Sequence, residues 1–324
     1  MIRLIDRTLS TLEYSHGAIS GNKLSELVSL LSSAGADWIE IPPEAYSLMG
    51  SIPVGVKAIL RIHHSNEATD YPGFDYYISK SKEATEVVPL VNEIQVNDVK
   101  EIELLKRYQH LRNICITGLE DMLLGSYPKE MKKLLALFGR NVWFCPENNC
   151  HCATALAVEW MAQGGRNVGV SFMGRGGYAA FEEVILGARI ALRQKVGVDL
   201  TLLPRIIELL SEMTPVKIAV NKAVLGSRIF TVESGVHADG LIKNPTIYEP
   251  YPPQSVGKER SIVLGKHSGR CSIRIKAGEQ GVEISDKKAG LLLEKVRARS
   301  IEERRGVSEA EFLLFLKEVA GNED

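Results

Sequence analysis

Residues 2–41, IRLIDRTLSTLEYSHGAISGNKLSELVSLLSSAGADWIEI, hold the pattern that decides the fold. An apolar run, Ile2–Asp6, is followed by a segment in which Leu24, Leu27, Val28 and Leu31 fall on one helical face, and then by a second apolar run, Asp37–Ile41. Apolar residues three and four apart mark an amphipathic helix, and short continuous apolar runs mark strands covered on both faces. Working outward, six more such runs follow: Ala58–Ile62, Asp75–Ser79, Asn92–Asn97, Arg112–Gly118, Asn141–Pro146 and Asn167–Phe172. Phe181, Val184, Ile185 and Ala188 repeat the helical stripe after the last. Eight strand–helix units predict a closed parallel (β/α)8 barrel, a TIM barrel, over residues 1–193. The stretch His63–Phe74 lacks a clear helical pattern, and an open doubly wound sheet is the alternative.

From residue 194 the alternation stops, which predicts a C-terminal region over 194–324. Leu202–Met213 reads as a helix with Pro204 in its first turn, where a missing N–H costs nothing. Residues 214–275 read as irregular, with a Gly- and Pro-rich core at Gly226–Gly269. Helices close the chain. Ala289–Arg299 is basic on one side. The last helix starts at a Ser308–Glu311 capping box and has an apolar face of Phe312, Phe315, Leu316 and Val319.

A formal net charge of −1 gives no global field for nucleic acid or anionic membrane. No apolar run approaches the roughly 20 residues that span a bilayer, and the start MIRLIDRTLS has no leader pattern, so a cytoplasmic protein is expected. Five cysteines, an odd number, do not suggest a disulfide framework.

In such a barrel, function sits at the C-terminal strand ends. Glu40 and Arg61 stand there, either as site residues or as a simple ion pair. Cys145, Cys150, His151 and Cys152, with Glu147, have soft-metal chemistry, but buried inert thiols are the commoner use. Gly174–Gly177 reads as a tight turn that could offer N–H groups to an anion. His63 and His64 read as a solvated loop, and His267 as part of a turn.

The run Glu233-Ser-Gly-Val-His-Ala-Asp-Gly-Leu-Ile-Lys-Asn-Pro-Thr-Ile-Tyr-Glu-Pro250, followed by Gly265-Lys-His-Ser-Gly-Arg270, resembles the signature of the homocitrate synthases, within the wider isopropylmalate and citramalate synthase family. Asn221–Gly226, Ile5–Leu9 and Ala153–Ala155 extend the resemblance along the whole chain. It implies a TIM barrel that condenses an acyl-CoA with a 2-oxo acid on a divalent metal, an acyltransferase reaction. It also implies a region after the barrel that reaches a partner's barrel in a dimer.

Carried over residue by residue, the family's catalytic Arg falls on Ser10, and its metal ligands fall on Thr11, Cys145, Glu147 and Tyr178. About three residues, one an Arg, are missing near Gly174–Gly177. The metal ligands and the positive charge beside the enolate are therefore expected to be lost, with no cofactor for this chain alone. Glu40 and His237 match catalytic positions, and Arg61 and Ser171 match substrate-binding ones. The expectation is a catalytically impaired subunit, in a homodimer or with a metal-competent homologue, with His237 serving the partner's site. The alternatives are a regulatory paralogue that binds a 2-oxo acid or acyl-CoA without turnover, and a barrel rebuilt for other chemistry on Cys145, Glu147 and Tyr178.

Overall fold

A computed structural model describes residues 2–15, 17–82, 89–194 and 197–321. The chain divides into two compact units, Met1–Lys217 and Ile218–Asp324. In the first, eight parallel strands close into a barrel in sequence order: β1 Arg3–Asp6, β2 Trp38–Ile41, β3 Ala58–Arg61, β4 Tyr76–Ser79, β5 Leu90–Val96, β6 Ile114–Gly118, β7 Trp143–Pro146 and β8 Asn167–Val170. The closing pair runs from Arg3 opposite Asn167 to Asp6 opposite Val170.

Side chains alternate along a strand, so every second residue faces the barrel axis. Trp38, Tyr76 and Trp143 pack at the N-terminal end. The two indoles stack with centroids 5.9 Å apart, and the tyrosine ring lies edge-on to both. Ile5, Ile59, Ile78, Val91, Cys115 and Cys145 join them in one buried cluster. Counting two residues on from Ile5, Trp38, Ile59, Val91 and Cys115 reaches Arg7, Glu40, Arg61, Glu93 and Thr117. The strand period thus turns an apolar interior into a charged mouth within one step. Gly169 is needed opposite, because a β-carbon there would lie 2.0 Å from the Cys145 sulfur.

The outer layer is uneven. α1 (Gly21–Ala34) is capped by the Ser20 hydroxyl, which accepts from the Lys23 N–H, and buries Leu24, Leu27, Val28 and Leu31. α2 (Pro43–Met49), α3 (Tyr127–Phe138), α4 (Ala153–Ala162) and α5 (Phe181–Ile190) follow their strands. Between β3 and β4 there is only a 3-10 segment, Ser65–Thr69, in keeping with the missing periodicity there. Between β5 and β6 the segment Val99–Tyr108 is also 3-10, and buries Ile102 and Leu105, which are three residues apart as that helix requires. α6 (Leu203–Met213), with Pro204 in its first turn, belongs to the first unit, which therefore extends past the boundary at 193 read from sequence.

The second unit carries more regular structure than its Gly- and Pro-rich sequence suggests. A short parallel pair, β9 (Thr231–Val232) and β10 (Ser261–Ile262), is accompanied by α7 (Gly235–Lys243), α8 (Arg270–Glu279), α9 (Asp286–Glu303) and α10 (Glu309–Gly321). α7 lies inside the stretch expected to be irregular, and its small residues hid the period. The capping box forms: the Glu311 N–H donates to the Ser308 hydroxyl, and the Ser308 N–H to the Glu311 carboxylate. Ile273, Leu292, Val296, Phe312, Leu316 and Val319 make this unit's own core. No helix among the described residues is long and apolar enough to cross a membrane.

Phe312 is 2% exposed, whereas Phe315 is only partly buried at the edge of the same cluster. Phe312→Ala is expected to cost roughly 3–5 kcal/mol, and Phe315→Ala less than half of that. Urea denaturation of the full chain measures both; equal costs would contradict this packing.

Candidate functional site

The charged mouth is a closed ring of four side chains. Arg7 donates through Nε to Glu40 Oε2 at 3.0 Å and through Nη2 to Glu93 Oε1 at 2.5 Å. Arg61 donates through Nε to Glu40 Oε1 at 2.6 Å and through Nη1 to Glu93 Oε2 at 2.9 Å. Each carboxylate therefore gives one oxygen to each guanidinium. The Ser10 hydroxyl adds a bond to Glu40 Oε1 at 2.6 Å, and the Thr117 hydroxyl one to Glu93 Oε1 at 3.0 Å. Arg7, Glu40 and Glu93 are buried, while the Arg61 side chain is 24% exposed. The Tyr178 ring lies over the Arg7 guanidinium at 4.6 Å, a cation–π contact.

Burial works against the charged forms of all four groups, and the ring overcomes it. Glu40 and Glu93 are held below the usual carboxylate range by the two guanidiniums, and Arg7 and Arg61 are raised by the two carboxylates. A general base works best near neutral pKa, so carboxylates locked in this state are poor proton acceptors. Burial and the neighbouring carboxylate push Tyr178 up to about 12, so it stays a neutral phenol. Asp6 does have a pKa of about 7, raised by burial and partly offset by the Thr8 N–H and hydroxyl, but it is fully buried.

The residues at the positions that the resemblance assigns to the metal are each engaged with other groups of the protein. The Thr11 hydroxyl donates to the Thr8 carbonyl at 2.7 Å and accepts from Arg175 Nε at 3.3 Å. Cys145 lies with its sulfur 3.3 Å from that of Cys115. The Cys115 thiol is raised well above its usual value and that of Cys145 lowered, each chiefly through their shared hydrogen bond. The two are diagonal across β6 and β7, since Thr117 stands opposite Cys145 and Cys115 opposite Trp143. Both are free thiols. Glu147 accepts from Gln95 at 2.9 Å and pairs through its backbone with Tyr178. Among the described residues no group of three His, Cys, Asp or Glu could hold a metal ion.

Ser171 is buried and its hydroxyl donates to the Arg175 carbonyl at 2.6 Å, holding the Gly174–Gly177 turn. Cys150 and Cys152 lie on the loop before α4, with the Cys152 thiol donating to the Cys150 carbonyl, whereas Cys145 faces the barrel axis. His63 and His64 are exposed, and their backbone N–H groups donate to Glu67.

The second unit brings together the two parts of the signature. Gly235 and Gly269 approach so closely that a β-carbon on Gly235 would lie 2.6 Å from the Gly269 backbone. The His267 N–H donates to Glu233 at 3.0 Å, and the Gly265 N–H to the Ser268 hydroxyl at 2.9 Å. His237 stands exposed on α7, its ring 5.3 Å from that of Tyr248. Tyr248 lies against Gly240, where a β-carbon would be 2.3 Å from the tyrosine ring.

Position matching along the sequence missed Arg7, Glu93 and Thr117. It also took the positive charge at the mouth as lost with Ser10. Ser10 and Arg7 bond the two oxygens of the same Glu40 carboxylate, so a guanidinium three positions earlier in the chain reaches that carboxylate. Period-two counting from the apolar layer would have found all three residues.

Between pH 3.8 and about 7 the folded chain keeps a proton on Asp6 that the unfolded chain has released. Stability therefore falls as pH rises across that window and levels off above it. Glu40 and Glu93 act oppositely: their contribution is present above their usual 4.5 and is lost as pH falls below it. Asp6→Asn is expected to flatten the decline between pH 4.5 and 7. Urea midpoints across that range measure this, and an unchanged slope would contradict the assignment to Asp6.

Residues 224–304 match the family described as homocitrate synthase post-HMGL domain-like. The homocitrate synthase omega subunit of Clostridium pasteurianum is 27% identical over 97% of this chain and 95% of that relative. Homocitrate synthase 1 of Nostoc is 33% identical over 53% of this chain, in a match spanning under half (46%) of its own length. A solved HMG-CoA lyase from Acinetobacter baumannii, in complex with coenzyme A and 3-methylmalate, shares the fold, with a TM-score of 0.55 over 69% of this chain and 95% of that one at 11% identity. With its eight-stranded parallel barrel and its Glu233–Arg270 signature, this chain is a homologue of the homocitrate, isopropylmalate and citramalate synthases.

Proposed function

We propose that this chain is a catalytically impaired subunit of a cytoplasmic homocitrate-synthase-type assembly, lending His237 to the barrel of a homologue that holds the metal. The contrast between the two units carries this reading. All four carboxylate oxygens of Glu40 and Glu93 are taken by guanidiniums, while the signature helix leaves the His237 side chain exposed and without a hydrogen bond among the described residues. The residues at the metal positions do not fit a divalent ion. A hard cation needs several converging oxygen or imidazole ligands, and here it would meet two fixed positive charges and a thiol facing another thiol.

The surroundings of His237 support a partner. Its ring lies against the half-exposed Tyr248, and Val236, the residue before it, is 75% exposed. An exposed large apolar side chain next to an exposed imidazole suits a surface that a partner covers. The relative called an omega subunit is named as part of a larger assembly. In the family reaction a proton leaves the acetyl-CoA methyl group as the new carbon–carbon bond forms, and an exposed imidazole is suited to hold or move a proton. The metal, held by the partner, would polarise the 2-oxo acid there.

A second reading, ligand binding without turnover, has one observation in its favour. Arg7 Nη1 and Arg61 Nη2 are buried with no hydrogen-bond partner among the described residues. It predicts that a 2-oxo acid raises the melting temperature with no activity in any combination.

Co-expression with a metal-competent homologue tests the first reading. The two chains are expected to co-purify and to release CoA from acetyl-CoA and 2-oxoglutarate with Mg²⁺ or Mn²⁺. His237→Ala is expected to lower that rate by roughly 10²–10⁴-fold with assembly intact. Clear turnover by this chain alone, or an unchanged rate in the variant, would overturn it.

A further inference from the structure

We propose that Arg7 and Arg61 together take the electrostatic place of a divalent cation in the barrel mouth, and that Arg7 keeps such a cation out. This rests on reading the mouth as a site without a metal, and is independent of any partner. Two carboxylates side by side in a water-poor barrel need two positive charges. Glu40 and Glu93 receive them from the two guanidiniums, each of which bridges both carboxylates.

Every oxygen of the two carboxylates is engaged, with three of about four acceptor sites filled on each. Glu40 Oε1 accepts from Arg61 and Ser10, and Oε2 from Arg7. Glu93 Oε1 accepts from Arg7 and Thr117, and Oε2 from Arg61. The surplus lies on the donor side, since one nitrogen of each guanidinium is buried and, among the described residues, unpartnered. An incoming cation would meet unsatisfied N–H groups and engaged oxygens. Arg61 reaches the ring from the partly exposed side, whereas Arg7 is enclosed, with Tyr178 over its face. Arg7 is therefore the fixed member.

Removing only the Arg7 guanidinium changes the sign of the site. Among the described residues Glu40 Oε2 loses its only hydrogen-bond donor and Glu93 loses one of three, the net charge of the group becomes −1, and the hydroxyls of Ser10 and Thr117 remain beside the carboxylates. Carboxylate and hydroxyl oxygens are the donors that Mg²⁺ and Mn²⁺ select.

The test is thermal unfolding of the full chain in EDTA and in Mn²⁺, with bound Mn²⁺ followed by electron paramagnetic resonance. The natural chain is expected to melt at the same temperature in both and to take up no Mn²⁺. Arg7→Thr is expected to melt about 10 °C lower in EDTA, to recover at least half of that in Mn²⁺, and to bind the ion saturably. Arg7→Lys keeps the charge and is expected to ignore Mn²⁺. Saturable Mn²⁺ binding by the natural chain would sink the metal-free reading of the mouth. An Arg7→Thr chain that ignores Mn²⁺, or folds in neither condition, would sink the role given to Arg7, as would Mn²⁺ binding by Arg7→Lys.

Discussion

The ring of Arg7, Glu40, Arg61 and Glu93 ties β1, β2, β3 and β5 together at the end of the barrel where chemistry is done. An ion pair in low dielectric gains little net stability, because desolvation offsets the attraction. Removing one partner is different, since it strands a buried charge at a cost of about 3–5 kcal/mol. Loss of any one of the four therefore leaves the others uncompensated. That dependence shapes the mouth: Tyr178 covers Arg7, and the hydroxyls of Ser10 and Thr117 each add a third bond to a carboxylate.

The layer beneath obeys a steric constraint of the same kind. Cys145 puts a sulfur where β8 would otherwise place a side chain, and Gly169 gives way. The sulfur meets Cys115 instead of solvent or a base. A thiol in that setting packs as a small apolar group, which leaves little ground for nucleophilic chemistry on Cys145. The changes at the mouth and beneath it are mutually consistent, as a packed interior requires.

Much of the barrel was legible because it depends on periodicity alone. Ile2–Asp6, Asp37–Ile41 and the Leu24–Leu31 stripe announce strand, strand and helix without reference to anything distant. α7 was not legible, because Gly235, Ala238 and Gly240 give a helix too few large apolar residues to display a period. The ring was missed for another reason. Comparison by position asks what stands at Ser10, whereas electrostatics asks what reaches the Glu40 carboxylate. A long side chain three residues earlier answers the second question and is invisible to the first.

The same distinction bears on the signature in the second unit. A preserved motif does not by itself imply preserved chemistry, because many of its members are explained by packing. Gly235 and Gly269 permit a backbone contact, Gly240 makes room for Tyr248, Ser268 closes the turn at Gly265, and Glu233 accepts from His267. These residues would persist in any chain that kept this fold. His237 differs. It is exposed, its side chain makes no hydrogen bond among the described residues, and its only ring neighbour there, Tyr248, is itself half-exposed. The packing that explains the other members of the motif therefore does not reach this one, whose neighbour Val236 is exposed as well.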